Sequence, residues 1–251
     1  MELIDVHAHL CDPVFDGDRA GVLERARQAG VASIIAVGED LADARRNLEL
    51  SEKYPMIRAA AGLYPTRLNL DQAREMHQFI RDNKEKLVAI GEVGLDYWMV
   101  KEEAQLELQR EIFGGFIDLA KELDLPLNVH SRSAGRQAIA FLIERGATRV
   151  HLHAFDGKAA SALPAVEAGY YFSVPPSVVR SEQKQKLVKR LPLSCLLVET
   201  DSPVLGPSPR ERNEPANLRV ALKAIADLKG LSEAEAASAI RENTSRLYGT
   251  L

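Results

Sequence analysis

Short runs of apolar residues alternate with longer amphipathic stretches along the whole chain. Apolar runs of four to eight residues predict strands, and apolar residues recurring every three or four positions predict helices. Strands are predicted at 2–6, 31–38, 56–62, from Leu87 onward, and at 127–130, 149–153, 170–173 and 195–198. Helices are predicted at 18–29, 40–53, 71–84, 102–123, 134–145, 157–168 and 181–190, followed by two more, the second opening on a capping-box pattern at Ser232–Glu235.

The regular alternation of strand and helix predicts a parallel sheet. Eight such units in a chain of 251 residues fit the size of a TIM (β/α)8 barrel, which runs to about 250 residues. No repeat, low-complexity run or Gly/Ser linker interrupts the pattern, so we expect residues 1–251 to form a single domain. A doubly wound open sheet is the alternative architecture.

Composition narrows the classes of protein to consider. The chain is 46% hydrophobic and 27% charged, which is typical of globular proteins. Its two cysteines, far apart in sequence, fit a reducing cytoplasm rather than a disulfide framework. The N-terminal residues are too charged for a signal peptide, and no run of about 18 apolar residues predicts a membrane span. The net charge of −4 means that any nucleic acid would be bound locally or with the help of a metal.

Polar residues with metal-ligand chemistry lie where the predicted strands end. His7 and His9 share one face of the first strand, and two imidazoles at such spacing can close on one divalent cation. Further candidates follow at later strand ends, namely Glu92, His130, His153 and Asp201. In a barrel the carboxyl ends of all strands meet at one mouth. Together these ligands are too many for one tetrahedral Zn²⁺, and two metals bridged by a carboxylate fit better.

The motifs around these residues resemble those of the TatD-type metal-dependent hydrolases of the amidohydrolase superfamily over essentially the whole chain. They are the HxH of His7 and His9, IGEVGLDY around Glu92, PLNVHSR ending on 130–132, HAFDG starting at His153, ETDSPVL around Asp201, and RNEP at 212–215. The runs NVHSRSAGR and SVPPSVVRSEQKQKLVK are similar to one subgroup of TatD-related deoxyribonucleases.

The resemblance implies a TIM barrel that holds two divalent metals, drawn from Zn²⁺, Mn²⁺, Ni²⁺, Fe²⁺ or Mg²⁺. It implies that His7, His9 and Asp201 hold one metal, and that Glu92 bridges to a second. His130 and His153 would hold that second metal. Asp201 and Glu92 are then the expected catalytic residues, with Asp201 taking the proton of the attacking water. The expected substrate is DNA, single-stranded or at its ends, and we expect no membrane association and no obligate protein partner.

Several assignments stay open at this level. His151 and His153 share a face of their strand, and only the motif favours His153 as the ligand. Glu199 has the same parity as Asp201, and Asp5 the same parity as His7. Tyr64, in Gly62-Leu63-Tyr64-Pro65, stands where the family usually has a histidine, so that histidine's role is altered or lost.

The candidate substrate-binding residues are Arg132, Asn213 and Tyr64. Arg132 has the geometry to clamp a phosphate, although it could equally pair with a structural carboxylate. Asn213 would shape the pocket or simply start a helix.

Three functions are compatible with these residues. The leading hypothesis is a metal-dependent phosphodiesterase that acts on DNA as an exonuclease. The alternative keeps the metals but hydrolyses amides or esters, or deaminates, a small substrate. The third is a binding protein whose metal is structural, which the size of the ligand set argues against.

Overall fold

The eight predicted strands are all present in the computed structural model, which describes residues 2–251. They are β1 (Leu3–Ala8), β2 (Val31–Ala36), β3 (Ile57–Ala61), β4 (Leu87–Gly94), β5 (Leu127–His130), β6 (Val150–Leu152), β7 (Tyr171–Val174) and β8 (Leu196–Val198). They form one sheet in chain order, and each strand pairs in parallel with the next, from β1 to β8. The prediction of a TIM-type barrel is confirmed.

The two edge strands meet through the loops that follow them. The backbone N–H of Asp201 donates to the carbonyl of His7 over 2.8 Å, and the N–H of His9 donates to the carbonyl of Ser202 over 2.8 Å. These bonds draw the segment after β8 onto the end of β1. They therefore bring the last predicted ligand next to the first two.

Helices connect the strands and cover the outside of the sheet. They are α1 (Arg19–Gln28), α2 (Leu41–Lys53), α3 (Leu70–Asp82), α4 (Glu103–Leu123), α5 (Gly135–Glu144), α6 (Leu163–Glu167), α7 (Glu182–Arg190), α8 (Leu218–Lys229) and α9 (Glu233–Tyr248). The predicted capping box at the start of α9 is present, with Ser232 and Glu235 each bonding the other's backbone N–H.

One helix is much shorter than its sequence pattern predicts. In place of a helix over 157–168, the chain forms a 3₁₀ turn at Ala159–Ala162 and then the five-residue α6. Pro164 lies in the first turn of α6. A proline has no N–H to donate and its ring blocks the preceding turn, so a continuous helix cannot pass through it.

The apolar side chains form two clusters on the two sides of the sheet. The larger one packs the strands against the helices. The smaller one lies inside the barrel and joins Val6, Ile35, Ala60 and Leu197 to Leu247 and Tyr248 from the end of α9. Parallel strands buried on both faces are expected to be apolar nearly throughout. A polar side chain within such a strand therefore needs a specific partner.

Among residues 2–251, no helix is both long enough and apolar enough to cross a membrane.

Candidate metal centre

The six predicted ligands converge at the carboxyl ends of the strands. His7 lies on β1 and His9 just beyond it, Glu92 lies on β4, and His130 ends β5. His153 and Asp201 follow β6 and β8, and all six side chains reach one cluster. Except for the partly exposed His9, these residues are at most 7% exposed.

Three of these side chains bring their donor atoms into one group. His7 Nε2 lies 3.3 Å from His9 Nε2, and each nitrogen lies 3.5 Å from Asp201 Oδ1. Two nitrogens and one carboxylate oxygen at this spacing could hold a divalent cation.

A second donor group lies beside the first. His130 Nδ1 lies 2.7 Å from Glu92 Oε1, His153 Nε2 lies 2.9 Å from the same oxygen, and the two nitrogens are 3.2 Å apart. The other oxygen of Glu92, Oε2, points to the first group and lies 3.3 Å from His9 Nε2. Glu92 therefore contributes one oxygen to each group.

The charges and unpaired atoms of the cluster fit a cationic occupant. Glu92 Oε2 is buried and has no hydrogen-bond partner among the described residues, which is costly for a carboxylate oxygen. Burial favours the neutral form of Glu92, but His153, His130 and His9 outweigh it and hold its pKa well below the usual value. Burial likewise opposes charge on His130, yet Asp96 and Glu92 raise its pKa to about 9. In both cases the carboxylates attract positive charge into the site, which a divalent cation would supply.

Two polar residues that the sequence analysis did not single out hold the imidazoles in place. Asn128 Oδ1 lies 2.8 Å from His7 Nδ1, on the side away from the cluster. Asp96 Oδ2 lies 3.0 Å from His130 Nε2. Partners of this kind fix the ring orientation and the tautomer of a metal-binding histidine. Asn128 could have been found by parity, because it lies two residues before His130 on the same strand.

Gly94 allows the second donor group to form. Its φ of +146° is a backbone conformation that side chains disfavour, and a Cβ built on it would lie 2.0 Å from the carbonyl oxygen of His130. Any other residue here would push β5 away from β4. Gly94 therefore sets how closely β4 and β5 approach each other, and with it the distance between Glu92 and His130.

Strand parity left open whether His151 and Glu199 are metal ligands, and the structure gives both side chains defined contacts. His151 is fully buried, its Nδ1 2.8 Å from the hydroxyl of Tyr248, and lies outside the two donor groups described above. Glu199 accepts from the Ser173 hydroxyl over 2.6 Å and from the backbone N–H of Ala154 over 2.8 Å. Its Oε2 lies 3.8 Å from Nδ1 of His153, the nitrogen facing away from Glu92.

Asp5 acts on the loop after β8. It accepts hydrogen bonds from the backbone N–H and from the hydroxyl of Thr200, over 2.9 and 2.5 Å. Burial raises the pKa of its carboxyl to about 8. Asp5 thus holds the segment that carries Asp201, rather than facing the donor atoms.

A cavity of about 610 Å³ opens over the cluster, and its wall includes Glu92, His130 and Asp201. Of the three predicted substrate-binding residues, the structure brings Tyr64 and Arg132 to this wall. The ring of Tyr64 packs against His130 with a centroid distance of 5.0 Å, and the guanidinium of Arg132 lies 5.1 Å from the ring centre of Trp98.

Asn213 is not brought to the cavity. It is 1% exposed, and its amide donates to the carbonyls of Thr200 and Val204, over 2.7 Å each. Its side chain is occupied in holding the loop after β8, so the structure gives it no free group with which to contact a substrate.

A barrel with a buried His and carboxylate cluster at its mouth is the architecture of a metal-dependent hydrolase. The family model described as TatD related DNase matches residues 4–249. The chain is 44% identical to human Deoxyribonuclease TATDN3 over 99% of its own length and 95% of the relative's. It is 37% identical to the uncharacterized metal-dependent hydrolase YabD of Bacillus subtilis, with 98% of each covered.

The solved structures agree with the sequence comparison. The crystal structure of YjjV, a TatD homologue from Escherichia coli, matches with a TM-score of 0.91 and 31% identity, over 99% of this chain and 98% of that one. The chain therefore belongs to the TatD related DNase family, and it is a hydrolase. The resemblance stated from the motifs is confirmed.

Proposed function

We propose that the protein is a deoxyribonuclease that hydrolyses phosphodiester bonds at strand ends and uses two divalent cations. The observation that carries the proposal is the division of Glu92, with Oε1 in one donor group and Oε2 beside the other. A carboxylate placed in this way could be shared by two cations, one held by each donor group. The names given to the relatives support DNA as the substrate.

Divalent cations, when bound, would supply the Lewis acidity that makes water nucleophilic at neutral pH and that stabilises a leaving oxygen. His7, His9 and Asp201 would hold one cation, His130 and His153 the other, and Glu92 both. Mixed imidazole and carboxylate ligands suit Zn²⁺, Mn²⁺, Fe²⁺ or Ni²⁺. The donor set does not select one of these metals, so availability decides which one is bound.

Asp201 takes the proton of the attacking water in this scheme. Burial favours its protonated form, but His9, His7 and His153 outweigh burial and hold the pKa of Asp201 below the usual value. The carboxylate is therefore ionised at neutral pH and free to accept a proton in the transition state. Its position on the cavity wall puts it within reach of a substrate above the cluster.

The size of the cavity favours single-stranded over double-stranded DNA as the substrate. A volume of about 610 Å³ is that of a pocket for a small ligand. It has room for a nucleotide at a strand end, whereas a duplex would have to lie outside it. We therefore expect single-stranded DNA or a frayed end to be the form that reaches the cluster.

The test measures metal content and DNA cleavage together. Purified protein is stripped with chelator, reloaded with each metal, and assayed on end-labelled single-stranded DNA. Glu92→Gln keeps the shape of the side chain but replaces one of the two oxygens by an amide nitrogen, so bound metal and rate should both fall. Glu85→Gln, on the exposed turn before β4, is the matched control and should change neither. Nuclease activity retained in Glu92→Gln would count against the scheme.

A second candidate function is the hydrolysis of a small amide or ester at the same centre. The observation that favours it is Tyr64, which occupies the wall beside His130 where the family usually has a histidine. A panel of amides and esters, run beside DNA on the same preparation, separates the two. Turnover of the panel without DNA cleavage would support this candidate and overturn the first.

A further inference from the structure

Lys184 is a buried lysine that the metal chemistry does not use. It lies on α7 and is 8% exposed, on the same side of the helix as the buried Leu187 and Val188. Lys186, two residues on, is exposed and pairs with Glu182 in the usual way, over 3.1 Å. A lysine is rarely buried without a partner, so the position of Lys184 needs a reason.

The partner of Lys184 within the described residues is only a carbonyl. Its Nζ donates to the backbone oxygen of Ala154 over 2.8 Å, and no carboxylate of the described chain lies within ion-pair distance of it. An ammonium group has three donors, so two remain available. Ala154 directly follows His153, and both Ala154 and Lys184 line the cavity over the cluster. Lys184 thus belongs to the wall of the cavity that opens over the cluster.

Two more donors face the same cavity. The hydroxyl of Ser131 is buried, with the residue 3% exposed, and it has no hydrogen-bond partner among residues 2–251. Arg132 lines the wall, and its guanidinium pairs with no carboxylate in residues 2–251. Ser131 and Arg132 come from the loop after β5, and Lys184 comes from α7. A free hydroxyl and two free cations around one cavity form a site for an anion with several oxygens.

The other side of the cavity carries the opposite charge. Asp12, Glu39 and Asp43, which follow β1 and β2, line that wall. An anionic group entering the cavity is repelled from this side and attracted to the side of Ser131, Arg132 and Lys184. Asp156, after β6, also lines the cavity and favours the charged form of Lys184, so it offsets part of the attraction on that side.

We propose that Lys184, together with Ser131 and Arg132, binds a phosphate group of the substrate beside the metal cluster. The inference rests on the proposed function for the identity of the substrate, but the phosphate site itself is independent of turnover. Lys184 donates to the phosphate oxygens through the two N–H groups that the Ala154 carbonyl leaves free. It is a binding residue and takes no part in the chemistry.

The test measures binding without turnover. Inorganic phosphate and thymidine 5′-monophosphate are titrated into metal-loaded protein by calorimetry, and a dinucleotide with a neutral methylphosphonate linkage serves as the uncharged comparison. Lys184→Met fills the same space without charge, and it should weaken phosphate binding by about 10- to 100-fold, as expected for losing a charge-assisted hydrogen bond. Binding of the methylphosphonate should not change. Lys186→Met is the matched control and should bind phosphate like wild type.

Kinetics on single-stranded DNA give a second, separate readout. Lys184→Met should raise KM by a similar factor with kcat little changed, and Lys184→Arg should restore part of the affinity. If Lys184→Met misfolds, judged by circular dichroism, Lys184→Gln takes its place.

The outcomes separate the two proposals. Wild-type protein that binds phosphate through Lys184 but cleaves no DNA would uphold the phosphate site and overturn the proposed function. Wild-type protein that cleaves DNA, with phosphate affinity and KM unchanged in the folded Lys184 variants, would overturn the phosphate site and leave the function standing. Failure of wild type to bind phosphate would also overturn the site.

Discussion

Asn128 on β5 fixes the tautomer of His7 on β1. The amide nitrogen of Asn128 donates to the carbonyl of Val6 over 2.9 Å, so its oxygen must face the imidazole, where it lies 2.8 Å from Nδ1. That nitrogen of His7 therefore carries the proton, and Nε2 presents its lone pair to His9 and Asp201. The buried amide of Asn128 thus sets the tautomer of one ligand of the candidate metal centre.

Loss of this amide should weaken the site that contains His7. Asn128→Leu removes the acceptor, so both tautomers of His7 become populated and the ring is free to turn. We expect the affinity for the first cation to fall by about 10- to 100-fold, the range seen for partners of metal ligands. Metal titration followed by calorimetry measures the change. Asn128→Asp, which retains an acceptor for Nδ1, should bind metal more tightly than Asn128→Leu, and equal affinity in the two variants would contradict the tautomer argument.

Asp96 makes the corresponding contact in the second donor group. Its Oδ2 lies 3.0 Å from His130 Nε2, and its Oδ1 accepts from the backbone N–H groups of Trp98 and Met99, over 2.8 Å each. Asp96→Asn keeps the shape but removes the charge that makes His130 a stronger base. If the chain holds two ions as proposed, we expect the bound metal to fall towards one ion per chain, with the His7 site retained. Elemental analysis checks this, and a loss of both ions together would argue against two separable donor groups.

Tyr64 provides a hydroxyl that stays protonated. Burial, together with the carboxylates of Glu92 and Asp96, raises its pKa well above the usual value. The group can therefore donate a hydrogen bond to a substrate at any ordinary pH. Tyr64→Phe should lower kcat/KM on DNA by roughly tenfold or more, the worth of a hydrogen bond to a charged group, and leave metal content unchanged. Tyr54→Phe, at the end of α2, is the control, and a Tyr64 variant with full activity would remove Tyr64 from the substrate site.

The barrel and the strand-end cluster could be predicted from the chain because both depend on order and parity. Each strand is short and apolar, and each ligand stands at its carboxyl end. Parity within β5 places Asn128 on the face of His130, but it does not show that Asn128 contacts His7 on β1, and Asp96 follows β4 at no position that parity defines. The position of Asn213 is a similar case, since a motif does not show the loop carbonyls of Thr200 and Val204 to which its amide donates.

The burial of Lys184 should lower the free energy of unfolding, by an amount that depends on pH. Burial lowers the pKa of Lys184 below its usual value of 10.5, so the folded state holds this proton less tightly than the unfolded chain does. Where the folded state has lost the proton and the unfolded chain still binds it, stability rises with pH. The penalty is therefore complete below the folded-state pKa and disappears as the pH approaches 10.5.

In metal-free protein, Lys184→Met should accordingly have a higher Tm than wild type at pH 7, and the difference should shrink as the pH is raised towards 10. Differential scanning calorimetry across this range measures it. Lys186→Met, whose lysine is exposed, controls for the loss of a charge and should show no such trend. A Lys184→Met protein that melts below wild type at pH 7, or by an amount independent of pH, would mean that the bond to the Ala154 carbonyl outweighs the cost of burying the charge. A stabilising substitution that also weakens phosphate binding is the pattern expected of a residue kept for its ligand and not for the fold.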